Sequence, residues 1–396
     1  MQNMQNSSPH RAALRFRLWI AACVLLAAGT APSQMLARPG WNGSGFNADP
    51  WWTHAVFYAI GDAPPDFKAI AARLDALQSL GTDALILPMP APPAPGATDD
   101  GFDELVSQAS RRSIHILLEF PASTAGDLAG AARYWLGRGV SGFHVVTPPQ
   151  INPLDAQTIV QTMRKTASSA VGGRFIISDF SPAQAVAVPA PRHPLRSSRT
   201  IRSSDAAVAQ LQVDARLSQL QPLDASAIRS LLEQSLVEPN LLLDAPANAP
   251  ASLARAMAAI ALTTHPAALV DADAALTQPA GSAPALLDWY RKLIALHHGN
   301  ATLRYGSVAT LDFDAQNALV WVIRPPANAS SAPPIVVACN LSSAPVQLSL
   351  TAPLKSLNLR GWFLRTLLRT DDAMGAQDLN SVAVPPFGVY IGELRR

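Results

Sequence analysis

Five carboxylates and one histidine sit at or near the ends of short apolar runs in this chain. Glu119 lies in HILLEF at 115–120, Asp179 in RFIISDF at 174–180, Asp244 follows the leucines at 241–243, Asp271 and Asp273 end AALVDAD at 267–273, and His144 lies in GFHVVT at 142–147. Carboxyl groups whose surroundings push their pKa values apart do general acid and base chemistry, and a histidine beside them adds a group that titrates near neutrality. Residues two apart on an extended strand share a face, so His144 and Val146 point the same way. There the chain offers a hydrocarbon where the neighbouring runs offer acids.

The elements that position these residues follow from periodicity. Eight strand candidates occur in order: 55–61, 83–88, 115–120, 142–147, 174–180, a weak one near 211–217, 240–245 and 267–273. Amphipathic stretches separate them; Phe67, Ile70, Ala71, Leu74, Leu77 and Leu80 recur at helical spacing and mark one buried face. Strands alternating with helices predict an α/β fold, a (β/α)8 TIM barrel over 51–300. Its C-terminal face is where barrel sites lie. Inward residues of alternate strands share a layer, which predicts Glu119 and Asp179 as a pair with Asp244 nearby. After a helix at 284–298 the pattern becomes alternating over 317–324, 335–341, 344–350, 361–368 and 386–394, which predicts a C-terminal antiparallel β-sandwich over 301–396.

Composition narrows the function classes. Hydrophobic residues make up 49% of the 396 and charged residues 15%, enough to bury a large core. The 34 prolines cluster at 88–95, 182–194, 325–334 and 384–386, as loop punctuation does. A net charge of +2 supplies no field that argues for nucleic acid or an anionic surface. Arg11, Arg15 and Arg17 precede an apolar run from Leu18 to Ala28, so 1–37 reads as a secretory signal and 38–50 as a linker. That run is shorter than the roughly 20 residues a membrane span needs. Ile20-Ala21-Ala22-Cys23 resembles a lipoprotein cleavage box, but only five apolar residues precede Cys23 and the run continues past it. Plain export, to the periplasm or the exterior, is the expectation. Cleavage after Cys23 leaves Cys339 alone, a small buried hydrophobe in a strand. No metal-type spacing or phosphate loop is visible, so neither a metal nor a cofactor is expected.

In order along the chain, WWTHAVFYAI at 51–60, FKAIAARLDALQSLGTDALILPMPAPP at 67–93, GFDELVSQASRRSIHILLEF at 101–120, AARYWLGRGVSGFHVV at 131–146, LLDWYRKLIALHHGNATLRYG at 286–306 and PPFGVYIGEL at 385–394 resemble segments of the α-amylase family, glycoside hydrolase family 13. Members that cleave or transfer α-glucosidic bonds use an Asp nucleophile and a Glu acid/base about 5 Å apart. The resemblance puts the nucleophile at Val146 and the family's preceding Arg at His144. It puts the acid/base at Asp179, one methylene short. The third carboxylate falls at Asp244 or is replaced at Asn248, and the family's Asp with Asn-His on the third strand is answered by Glu119, Ser123 and Thr124. The domain usually inserted after the third strand is missing, with about six residues in its place.

The resemblance therefore implies a secreted pseudoenzyme that binds an α-glucan, a maltooligosaccharide or a protein partner, with His144 and Asp273 as candidate substrate contacts. Two other readings stand beside it: a weak or altered retaining glucosidase or transglycosidase using Glu119 and Asp179, and a structural protein of the envelope. The loop at 182–204, with Arg192, His193, Arg196, Arg199 and Arg202, is either a basic lid toward an anionic glycan or partner, or a solvated excursion. His265, His297 and His298 read as helix-end residues that complement the dipole. Trp51 and Trp52 read as barrel-bottom packing, and Trp135, Trp289 and Trp321 as core.

Overall fold

The computed structural model describes residues 50–61, 65–90, 101–122, 127–148, 151–172, 174–179, 209–214, 216–220, 224–236, 241–243, 251–271, 283–311, 317–329 and 331–396. A 3-10 turn, Trp51–His54, leads into β1 (Val56–Ala59). There follow α1 (Phe67–Leu80), β2 (Ala84–Pro88), α2 (Phe102–Arg111), β3 (His115–Pro121), α3 (Leu128–Gly137), β4 (Gly142–Val146), α4 (Pro153–Ser169), β5 (Phe175–Ser178) and β6 (Leu211–Asp214). Then come α5 (Arg216–Gln219), α6 (Ala225–Ser235), β7 (Leu241–Leu243), α7 (Ala251–Thr264), β8 (Ala268–Asp271) and α8 (Ala283–Gly299). All eight expected strands are present, and they form one parallel sheet in the order β7-β6-β5-β4-β3-β2-β1-β8. Among the described residues no ladder joins β7 to β8, but the two are in contact, so the sheet curls around to meet itself.

Local sequence explains where these helices begin and end. The carboxylate of Asp66 accepts from the backbone N–H groups of Lys68 and Ala69, which would otherwise be orphans of the first turn of α1. Its far end is closed by Gly81 at φ 94°, where a Cβ would also stand 2.7 Å from Ile294 on α8. Phe67, Ile70, Leu74, Leu77 and Leu80 are buried, as their spacing predicts. Asn152 caps α4 with proline at its first position, and Asp127 and Asp224 cap α3 and α6.

Inside the barrel, Phe57, Ala84, Ile86, Leu117, Phe175, Ile177, Leu211, Val213 and Leu269 form one apolar cluster. Two stacked pairs, Trp51 on His115 at 3.7 Å and Trp52 on Phe175 at 4.8 Å between centroids, seal its N-terminal end. The other strand face, including Leu85, Leu118, Val145 and Ile176, packs outward against the helices.

Beyond α8 and the short α9 (Ala301–Tyr305), an antiparallel sheet has the order β14-β13-β16-β11-β10-β9. Its members are β9 (Ser307–Thr310), β10 (Ala318–Arg324), β11 (Ile335–Asn340), β13 (Phe363–Arg369), β14 (Ala376–Asp378) and β16 (Val389–Arg395). A second sheet pairs β12 (Val346–Leu348) with β15 (Val382–Val384), and α10 (Thr351–Ser356) lies between β12 and β13 in the chain. The sequence pattern anticipated five strands here; β9, β14 and β15 span three or four residues each, too few for alternation to register. Nor do β10 and β11 alternate as expected. Every residue of β11 and all but the last of β10 are buried, because both faces of the large sheet are covered. Val320, Val322, Val336 and Leu364 meet the small sheet, while Leu319, Trp321, Ile323 and Val337 join the barrel's outer core. The Trp321 indole N–H donates to Thr263 Oγ1 on α7 at 3.1 Å.

Two histidines expected to complement helix dipoles do not. His265 and His297 are buried, and burial lowers each ring pKa to about 4. A neutral ring offers no charge to a dipole, so that expectation is corrected. His297 Nδ1 lies 2.8 Å from Leu262 O and His265 Nδ1 lies 2.9 Å from Thr264 Oγ1.

Two outcomes are expected. Trp321→Ala removes core common to the barrel and the sheet, at about 3–5 kcal/mol, and lowers a single calorimetric transition; two separate transitions in the wild type would refute a shared core. His265 titrates near 6.5 in the unfolded chain and near 4 when folded. Its contribution is therefore whole above about pH 6.5 and is lost as pH falls toward 4, by up to about 3 kcal/mol. Urea midpoints measured from pH 7 to 4.5 should fall less steeply in His265→Gln, and an unchanged slope counts against the assignment.

Candidate functional site

Parallel pairing sets directly opposed residues on the same face of the sheet, and the register at the C-terminal end joins Pro88 to Glu119, Glu119 to His144 and His144 to Ile177, with Pro121 beside Val146. Ile177 and Leu117 belong to the interior cluster, so Glu119, His144 and Val146 face the barrel axis. Gly142, two residues before His144, faces the same way; a Cβ there would come within 2.3 Å of the Phe175 carbonyl oxygen. The absence of a side chain lets β4 pass close to β5, which lodges the Phe175 ring in the interior below His144.

Glu119 and His144 are the expected site residues that the fold brings side by side. Nδ1 of His144 lies 4.0 Å from Glu119 Oε2, beyond hydrogen-bond length. Burial lowers the His144 pKa to about 4, so near pH 7 the ring is neutral and the pair is not an ion pair. Nε2 of His144 is buried without a partner. Because a lone pair left dry costs less than an N–H left dry, the proton belongs on Nδ1, directed at Glu119. The Glu119 side chain is 39% exposed and remains within reach of a ligand.

Asp179 has a different setting. Its two carboxylate oxygens accept from the Thr147 backbone N–H at 2.9 and 3.0 Å, and one of them accepts from Thr147 Oγ1 at 2.7 Å. The carboxylate thus clasps the residue that follows β4. Burial raises its pKa, while the bonds from Thr147 oppose that rise. Two strand spacings and two residue rises separate Asp179 from Glu119 along this register, about 12 Å between Cα atoms. Thr147 was not singled out from the sequence, and no pattern there marks it, since its role arises only where β4 and β5 end together.

Val146 stands half-buried at the end of β4, its carbonyl accepting from Ala122 N–H at 2.8 Å. An isopropyl group has no lone pair to offer an anomeric carbon. Asp271 is the last residue of β8, in register with Ala59. Asp244, Asn248, Asp273, Ser123, Thr124, Cys23 and the loop at 182–204 lie outside the described residues. Among the described residues no group of three or more His, Cys, Asp or Glu side chains is arranged to hold a metal ion.

Asp179→Ala leaves the Thr147 N–H and hydroxyl without their acceptor and is expected to cost about 1–3 kcal/mol. Faster amide exchange should appear at Thr147. Unchanged stability and unchanged exchange would show that the clasp holds nothing.

No protein-family model matches the chain, and no curated protein matches it. Solved structures do match. The chain is similar to an isomaltulose synthase from Klebsiella sp. LX3, with a TM-score of 0.64 at 14% identity over 88% of this chain and 100% of that one. A trehalulose synthase gives 0.62 at 14% identity, over 88% of this chain and 100% of that one. A debranching enzyme from Nostoc punctiforme gives 0.59 at 13% identity, over 87% of this chain and 98% of that one. At such identities the likeness is one of backbone, and it establishes that this chain has the fold of those sugar enzymes, barrel and C-terminal β-sheets together.

Proposed function

We propose that the chain is an exported carbohydrate-binding protein of α-amylase type that does not break glycosidic bonds, with an α-glucan or maltooligosaccharide as its ligand. One observation carries this reading: Val146 occupies the axis-facing place at the end of β4 where the resemblance puts the nucleophile. The Asp179 carboxylate supports it, because both oxygens are engaged by Thr147. The fold supports a sugar as the ligand class, since the matched structures include complexes with isomaltulose and D-glucose and crystals soaked with acarbose. The charged and apolar N-terminal run supports export.

A second reading has its own support. Burial raises the Asp179 carboxyl, which is the direction a general acid requires, and a weak glucosidase or transglycosidase would use it together with Glu119.

Titration calorimetry with maltoheptaose, run beside turnover assays on aryl α-glucosides, tests both. The expected result is saturable heat, no released aryl group, and affinity about tenfold weaker in Glu119→Ala, equivalent to about 1.4 kcal/mol. Turnover that disappears in folded Asp179→Asn would establish the second reading. If no sugar binds, both give way to a structural role in the envelope.

A further inference from the structure

Trp135, Trp289 and Trp321 are buried, whereas Trp362 stands 78% exposed where β13 begins. The chain puts it there by a close approach. A Cβ on Gly361 would lie 2.3 Å from Leu394 Cδ1, so only glycine passes so near β16, and the next residue is turned outward. The Trp362 N–H donates to the Arg395 carbonyl oxygen at 2.7 Å, which keeps it tied to the ladder. Phe363, 37% exposed, pairs with Arg395 on one side and Asp378 on the other.

Four arginines lie on the two segments that meet here: Arg360, Arg365, Arg395 and Arg396. The carboxylates beside them are Glu393 and Asp378. Glu393 is buried; it accepts from Nε and Nη2 of Arg365 at 3.0 and 2.6 Å and also from the Arg395 guanidinium. One inner carboxylate thereby orients two guanidinium groups that remain exposed. Each retains N–H donors that Glu393 does not use.

Trp362, in the bend before β13, and Phe363, the first residue of that strand, are adjacent exposed rings at the end of the sheet. Exposed aromatic rings beside a cluster of guanidinium groups suit a fluid, anionic interface. Tryptophan and arginine are amphipathic groups that settle at such an interface, with apolar bodies inward and polar tips at the headgroups.

We propose that this end of the large sheet is a peripheral contact with an anionic phospholipid surface, Trp362 and Phe363 entering the headgroup layer while the four arginines face its phosphates. The overall charge of +2 gives no hint of it. The attraction comes from clustering, because a surface potential acts on basic groups within a Debye length of it. The contact is independent of the barrel mouth and of any sugar bound there.

Flotation of the full chain with vesicles tests the proposal. Equimolar phosphatidylglycerol and phosphatidylcholine vesicles should carry the protein, phosphatidylcholine alone should not, and high salt should release it. Trp362→Ser with Phe363→Ser should weaken binding by about tenfold or more, and Arg360→Gln with Arg396→Gln severalfold. Both pairs are exposed, and circular dichroism confirms that each variant is folded. No binding to the anionic vesicles overturns the proposal, as does equal binding to both kinds or binding that the variants leave unchanged. Competition by soluble polyphosphate that abolishes flotation of wild type and the Trp362→Ser, Phe363→Ser variant alike would assign the cluster to a soluble polyanion instead.

Discussion

In a curled parallel sheet each side chain has two places to go, the axis or the surrounding helices, and the ladder register decides which for the whole sheet at once. Leu117 and Ile177 enter the axis cluster, while Leu118 and Ile176 pack outward. Once that parity is set, Glu119, His144 and Val146 have no other direction to point. The tryptophans and aromatic rings at the N-terminal end fill the lower axis, so the polar groups gather at the upper end. A slip of one residue on β4 would put Val145 on the axis and His144 among the helices, with a polar ring buried in hydrocarbon. Placement of the site is thus a by-product of keeping the outer core apolar.

The same logic ties the C-terminal strands to the barrel. The large sheet is apolar on both faces, and only one of them can be covered by its small partner sheet. The other needs the barrel helices, and α7 supplies them through packing and through Thr263 under Trp321. Residues 50–396 accordingly form one compact unit. At the exposed start of β13 and the end of β16 the sheet instead carries Phe363, Arg365 and Arg395 around the buried Glu393.

At the barrel mouth the described polar groups stand in different settings. Asp179 accepts the N–H and the hydroxyl of Thr147 at the end of β4, and His144 is kept neutral by burial. Glu119 is the described carboxylate of the expected set with an exposed side chain at the mouth.

Periodicity alone determined the order of the eight barrel strands, the buried face of α1, the buried tryptophans and the hydrocarbon at 146, because these depend on residues close together in the chain. The weak strand near 211–217 proved to be β6, only four residues long. Three things depended on the tertiary structure: the pairing of Glu119 with His144, the engagement of Asp179 by Thr147, and the loss of charge on His265 and His297. The short strands β9, β14 and β15 also emerged only there, since three or four residues carry too little pattern to be read. Each of these rests on contact between residues far apart in sequence, or on the dielectric of an assembled core, and neither exists until the chain has folded.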